Sequence, residues 1–538
     1  MTGTDDGQDA TASGSAWSPL RRRVFRDLWL AQFTSNVGSW MQTVGAQWLL
    51  VGHGAAQVSM VQLAAGLPVL FLALPAGVLA DLVDRRRLLL VMQAAMAVVA
   101  AALAALAFTG VLGPWTLLAL TFLLGCGNAL NGPAWQAVQP SLVPREELRQ
   151  AAALGAVNMN LARAVGPALG GLLVAALGVG WTFAVNAASF LAILAVLAGW
   201  RTGARERAPR SGQEREHLLA AMRAGGRYVR SAPRIRRILL RSALFVPGAS
   251  ALWALLPVSA HESLGLGAAG YGVLLGAVGL GAVAGAAVLP AVSRRVGGDG
   301  ALALAGTAFA GALAALAVGG SVLIAFPALV LAGAAWITAL STLNASLQVA
   351  LPAWVRARAS AFYLLVFQGG SAVGSLVWGQ VAQHAGVSAA MLLAALSLLG
   401  GALSLRRLPL LGGRNDPTLS EAWPEPRLAV EPAPQDGPVL VTVTYEVRAE
   451  RAPAFVAAMR KVEASRRRTG AVTWGLYRDA ARPERFVETF TVVSWSEHCA
   501  QHHERYTGTD HAFEADAREL LTGEPTVVHA VTAHRRGD

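Results

Sequence analysis

The stretch GVLADLVDRRR, Gly77 to Arg87, decides how this chain is read. On either side the sequence is almost pure Leu, Ala, Val and Gly, so two aspartates and three consecutive arginines need a reason. Of 538 residues, 54% are hydrophobic and 14% charged, against about 25% charged in soluble proteins. The deficit falls between Leu28 and Leu405, where apolar runs of about 20 residues recur, each long enough to cross a ~30 Å hydrocarbon core as a helix. Gly and Pro within the runs do not exclude this, because neighbouring helices satisfy the freed backbone groups.

Candidate spans fall at residues 28–51, 58–80, 88–108, 114–136, 151–176 and 180–199. After a polar interval they resume at 238–260, 269–292, 300–319, 322–345, 358–382 and 388–405. Arginines mark every second connection: Arg21, Arg22, Arg23 and Arg26 before the first span, Arg85, Arg86 and Arg87 after the second, Arg145 and Arg149 after the fourth. The pattern continues through 201–237, Arg294 and Arg295, Arg356 and Arg358, and Arg406 and Arg407. Connections 52–57, 109–113, 177–179, 262–268, 320–321 and 383–387 carry no Lys or Arg. Short cytoplasmic loops accumulate positive charge, so the alternation predicts an even number of spans with both termini cytoplasmic. The net charge of +12 reflects this one-sided placement. The expected partners are a lipid bilayer and a small-molecule substrate, with no nucleic acid.

The pattern is also an internal repeat, six spans, a basic interval and six spans, as in many secondary transporters. Residues 201–237 form the joint, with an amphipathic helix expected along anionic headgroups. Gly77-x-x-x-Asp81 followed by Arg85, Arg86 and Arg87 has a partner in GAAVLPAVSRR, where Gly285 matches Gly77, Leu289 replaces Asp81, and Arg294 and Arg295 remain. The opening stretch therefore reads as a tight hairpin between two spanning helices. Gly77 permits close helix approach, Asp81 at the membrane edge seeks a cation or a helix N-terminus, and the arginines hold the anionic inner leaflet.

Twelve spans, the long middle interval and the Gly77, Asp81, Arg85, Arg86, Arg87 pattern resemble the major facilitator superfamily over about three quarters of the chain. The resemblance implies two six-helix bundles rocking about a central cavity. It also implies a gate in which Asp81 pairs with the chain near Arg358 and Ser360; the family usually has glycine where this chain has Asp84. Span five reads AVNMNLARAVGPALGGLLVAALG. Its proline kinks a helix and its small residues allow tight contact. Gly166-Pro167-x-x-Gly170-Gly171 resembles the motif of antiporter branches, and the flanking NLARAVGPALGG and VPREELRQAAAL resemble the enterobactin-exporter-like group, whose members export siderophores and other small molecules.

Arg163 is the charged side chain placed well inside a span, about 15–18 Å beyond the start of its helix. An intramembrane ion is a functional hypothesis: it binds an anionic or phenolic substrate, or it pairs with carbonyls and polar side chains. Asn160 shares its face, whereas Asn158 turns toward a neighbouring helix. Gln32, Asn36, Asn128, Asn131, Gln368 and Ser371 are candidates to line the same cavity, or to bond between helices. No Asp or Glu lies mid-span, so proton antiport rests on the resemblance, with the proton gradient as energy source and no cofactor.

After Arg407 a Pro-rich, charged linker precedes a change of pattern at Pro438. Strands at VLVTVTYEV, AVTWGLYRD, RFVETFTVV and PTVVHAVTA alternate with helical segments in the order β-α-β-β-α-β, the ferredoxin-like arrangement. SWSEHCAQHHERYTGTDH resembles antibiotic-biosynthesis-monooxygenase-like domains, which often dimerise through their sheets. Its His498, His502, His503 and His511 fit no standard metal-ligand spacing and are expected to be exposed, with no metal bound. Cys126 and Cys499 form no disulfide framework.

The expected fold is an all-α membrane protein, twelve transmembrane helices in two six-helix bundles, with a small α+β ferredoxin-like cytosolic domain. The divisions are a disordered tail 1–26, bundles 27–200 and 238–405 joined by loop 201–237, a linker 406–438 and the small domain 439–533. The function read from this is export of small organic molecules across a bacterial cytoplasmic membrane, with no enzymatic activity. An importer or lipid-handling relative and a bifunctional protein with a monooxygenase-like tail are the alternatives.

Overall fold

The computed structural model describes residues 15, 17–138, 142–200, 218–352, 354–410, 416, 418–420 and 432–533. The apolar runs become long helices: α1 (Arg23–Leu50), α2 (Ala55–Leu82), α3 (Arg85–Phe108), α4 (Pro114–Val138), α5 (Leu148–Leu177) and α6 (Val179–Gly199). A short α7 (Leu218–Ser231) precedes α8 (Pro233–Val258), α9 (Ala268–Gly319), α10 (Val322–Ala350), α11 (Arg356–Ala385) and α12 (Val387–Leu403).

Ten helices among the described residues are long and apolar enough to cross a membrane. Two features separate this from the twelve segments read in the sequence. α1 falls short of the hydropathy because Gln, Asn, Ser and Thr recur along it. α9 spans 52 residues but is two helical arms joined at a kink. Its backbone leaves the helical region at Gly297, where φ is 68° and ψ −178°, with no loop between the arms. The segments expected at 269–292 and 300–319 are thus the two arms of α9.

The repeat is visible in the packing. In the first half α1 lies against α5 and α6, and α3 against α4 and α6; in the second, α8 lies against α11 and α12, and α9 against α10 and α12. α2 crosses to α11, and α5 crosses to α9, joining the halves symmetrically. The turns into the last helix of each half match: Gly178 (φ 93°) and Gly386 (φ 87°) occupy a backbone region that glycine enters without Cβ strain. An arginine closes the far end of each last helix. Arg86 donates to the carbonyls of Leu197 and Ala198 at 3.0 and 2.8 Å, and buried Arg241 donates to those of Gly401 and Ser404 at 3.1 and 2.9 Å, satisfying the free C-terminal acceptors of α6 and α12. Arg22 pairs with Glu147 at 2.9 Å on the same, basic face.

Beyond the bundle, β1 (Val439–Glu446), α13 (Ala452–Thr469), β2 (Thr473–Arg478), β3 (Arg485–Val492), α14 (Trp495–Ala500), a π-turn (Gln501–Arg505), α15 (Gly508–Arg518) and β4 (Thr526–Val531) follow. The antiparallel sheet has the order β2-β3-β1-β4. β1 alternates buried and exposed side chains and registers Val441 against Phe490 of β3 and His529 of β4. Val441, Val443, Phe455, Met459 and Phe490 form its core.

The tail sits on the basic face. α13 packs on α7, and the Arg505 guanidinium lies 4.9 Å from the ring centre of Trp354, just before α11. α7, the helix expected in the middle interval, turns Tyr228 inward, buried and edge-on to Trp354 at 5.5 Å. Residues 201–217 lie outside the described residues.

Candidate functional site

The crossing of the halves is built on α5. A Cβ added to Gly166 would meet the Trp40 Cβ at 2.6 Å, and one on Gly170 the Met41 Cα at 2.8 Å, so both glycines seat α1. Gly171 faces the other half: its Cβ would meet the Ala268 carbonyl oxygen at 2.5 Å and the Gly272 Cα at 2.7 Å. Gly272 in turn abuts the Pro167 carbonyl. Pro167, inside α5, has no N–H to give the ladder and is buried in this contact. Beside it, α1 and α8 meet through Gln47, which donates to the Trp253 carbonyl at 2.9 Å and accepts from the Tyr271 hydroxyl at 2.7 Å. These contacts lie toward the end opposite the basic face.

Arg163 stands half-buried one turn nearer the basic face. Its guanidinium lies 5.6 Å from the Trp40 ring centre, and its buried Nε has no hydrogen-bond partner among the described residues. A cation on an indole face is held by the ring quadrupole and keeps its N–H groups free for an anion.

The polar residues named from sequence separate into groups. Gln32 donates to Asn36 at 3.0 Å, Asn36 donates to Asn158 at 2.9 Å, and Asn158 donates to the Trp29 carbonyl at 2.8 Å, a chain tying α1 to α5. Asn160 donates to the Ala156 carbonyl of its own helix at 2.9 Å. Asn131 accepts from Gln93 at 3.3 Å, joining α4 to α3, while Asn128 is exposed and Gln368 and Ser371 are half-buried on α11. Asn158 and Trp40, not placed in the cavity from the sequence, complete the α1–α5 cluster. Trp40 was missed because its partner lies more than a hundred positions along the chain.

In the hairpin after α2, the side-chain surroundings of Gly77 and Asp81 lie outside the described residues. Asp84 accepts from the Arg87 backbone N–H at 2.9 Å and caps α3. Arg86 holds α6, as above, and Arg85 and Arg87 begin α3 with it. Arg358, the position paired with Asp81 by resemblance, lies against α7, where a Cβ on Gly225 would meet its Cβ at 2.9 Å.

A cavity of about 680 Å³ opens between the tail and the bundle, lined by Tyr228, Arg234, Arg460, Lys461, Arg468 and Phe513 among others. Nearby, burial pushes the Glu497 carboxyl up, but hydrogen bonding and charge from Arg505, with Arg227 and Arg358 of the bundle, hold it below the usual carboxylate range. Inside the tail, Arg466 is buried between Glu488 (3.2 Å) and Glu514 (2.5 Å), and Glu488 also accepts from the Tyr445 hydroxyl at 2.6 Å and the Trp474 indole at 2.8 Å.

The histidine expectation needs correction. His498 is 1% exposed and His502 9%. His498 lies against Trp495 on its own helix and His529 on β4, with ring centres 5.2 and 4.9 Å away. Only His503 and His511 of the four are exposed.

Two pseudo-symmetric helical halves crossing through small residues, with Arg163 over Trp40 beside the crossing, have the architecture of a multi-pass membrane transporter, and the family match below makes the chain a transporter and not an enzyme. The chain belongs to the transmembrane secretion effector family of the major facilitator superfamily, whose profile matches residues 14–537. It is 30% identical over 246 residues to enterobactin exporters of Shigella boydii serotype 18 and of Escherichia coli O1:K1, covering 44% of this chain and 56% of theirs. It therefore spans little more than half the length of these relatives. In fold it is similar to the nucleoside transporter NupG, with a TM-score of 0.60 at 13% identity, covering 72% of this chain and 100% of that one.

Proposed function

We propose that this protein is a secondary active exporter of small organic molecules in a bacterial cytoplasmic membrane, working by alternating access and driven by proton antiport. α1 and the two arms of α9 then count as separate spans, giving twelve, with both termini and the basic face cytoplasmic. The observation that carries the reading is the position of Gly166-Pro167-x-x-Gly170-Gly171. The motif whose resemblance implies export forms the contact about which the halves cross, α1 on one side and α9 on the other. The relatives named as enterobactin exporters support the direction. The intramembrane cation, Arg163 over Trp40, suits a substrate with an anionic or phenolic group. The hairpin from Gly77 to Arg87 acts as the inner gate. The tail, whose strand order supports a ferredoxin-like reading, serves as a regulatory or dimerising unit; its outer sheet face exposes Leu440, Tyr477 and Val528.

In mechanism, α5 pivots on α9 where backbones touch through hydrogens alone. No bulky side chain there has to change rotamer as the halves rock. Substrate enters from the basic face, its anionic group taking the free guanidinium N–H groups, and leaves when the Gln47–Tyr271–Trp253 contacts separate. The test is comparative profiling of metabolites and drugs in cells and medium, with and without the protein. At least one compound should be depleted inside and enriched outside, an effect removed by a protonophore and altered by Arg163→Ala. Identical profiles in all strains would refute export.

A further inference from the structure

We propose that His498, His502 and His529 form a transition-metal site in the C-terminal unit, taking Zn2+ through three imidazole nitrogens. The proposal concerns the tail alone and stands independently of the direction of transport.

Two ligands come from one helical face and the third from the sheet. His498 and His502 are four residues apart across the junction of α14 and the π-turn, and so share a side. His529 reaches them from β4, whose neighbour β1 places Val441 opposite it. The three candidate ligand atoms all lie within 4.8 Å of one another. The His498 and His502 Nε2 atoms are 3.2 Å apart, close to the ~3.3 Å between two nitrogens bound tetrahedrally to zinc at 2.0–2.1 Å. The rings of His498 and His502 stand at 87°, so the pair is not stacked and both edges converge on one point.

The electrostatics favour ligands over a cationic cluster. Burial first, and then the neighbouring imidazoles and Arg466, hold His498 down to about 4 and His502 to about 2, and burial lowers His529. All three are neutral at pH 7 and offer lone pairs without releasing a proton. The positive charge of Arg466 is already matched by Glu488 and Glu514. His498 Nδ1, on the far side of the ring, is buried with no hydrogen-bond partner among the described residues, and the Gln501 amide beside it donates to the Thr469 hydroxyl at 2.8 Å. His529 Nε2 is buried with no hydrogen-bond partner among the described residues. A buried nitrogen left without a partner costs free energy that an ion recovers. Three neutral nitrogens suit zinc or copper over calcium or magnesium, and leave a fourth position for water or an exchangeable group.

The test uses the full-length protein, purified without a histidine tag, stripped with chelator and titrated with Zn2+ by calorimetry. Substitution with Co2+ reports geometry through its visible absorption. One tight site is expected, with the intense bands of tetrahedral Co2+. His502→Gln and His529→Gln should each weaken binding by roughly a hundredfold, while exposed His503→Gln leaves it unchanged. His529 is half-buried, so its variant reads the site even where His502→Gln compromises folding. No zinc binding by the wild type, or binding that both variants retain, would overturn the proposal and leave the cluster as hydrogen-bonded neutral histidines.

Discussion

At Gly171 a single hydrogen is all that the contact between α5 and α9 admits, since any Cβ meets the Ala268 carbonyl and the Gly272 backbone within 2.7 Å. Backbone atoms cannot step aside as the end of a flexible side chain does. Gly171→Val should therefore lower transport at least tenfold while the protein still reaches the membrane, measured as efflux against immunoblotted membrane content; wild-type efflux would remove the pivot. The glycines of this motif were legible in the sequence because small-residue spacing is local. Their partners were not, since Gly272 lies about a hundred positions later. A similar distance hid Trp40 from Arg163, and 31 positions with a helix and a loop between them hid His529 from His498. The cluster expected around one cavity was also only half legible: polar identity is written in each residue, but Gln32, Asn36 and Asn158 spend theirs on one another.

Among the elements, the hairpin after α2 replaces the family's usual glycine with Asp84, and the structure gives the aspartate work as the N-cap of α3. Removing such a cap costs about 1 kcal/mol. Asp84→Ala should destabilise the detergent-solubilised protein by roughly that amount in thermal unfolding, while Asp84→Asn, which keeps the acceptor, should not; equal losses would deny the cap. The tail has a pH limit of its own. His498 and His502 are held neutral when folded and rise to about 6.5 when unfolded. The unfolded chain therefore binds more protons, and stability falls as pH drops from about 6.5 to about 4. In chelator-treated protein, hydrogen-exchange protection factors at β1 and β4, corrected for the intrinsic pH dependence of exchange, should fall as pH drops across that window and be flat from pH 7 to 8. Protection that is constant down to pH 4 would show that folding does not hold these histidines neutral. Helix existence was readable from apolar run length. The joint inside α9 was readable too, since Gly297 falls in the connection expected between 292 and 300; that it takes one non-helical residue and no loop was not.

For the whole molecule, the arginine alternation carried most of the architecture, since a bilayer sorts charge along the entire chain. The seat of the tail was illegible: it depends on Arg505 meeting Trp354 and on α13 meeting α7, surfaces with no shared sequence pattern. The central claim is that every arginine-bearing connection lies on the cytoplasmic side, with the crossing contacts closed toward the other. In a background with Cys126→Ser and Cys499→Ser, single cysteines placed at exposed Ser263 and exposed Arg294 test it with a membrane-impermeant maleimide. The account predicts that Ser263→Cys is labelled in intact spheroplasts and Arg294→Cys only after the membrane is opened. Labelling of Arg294→Cys in intact spheroplasts would contradict it.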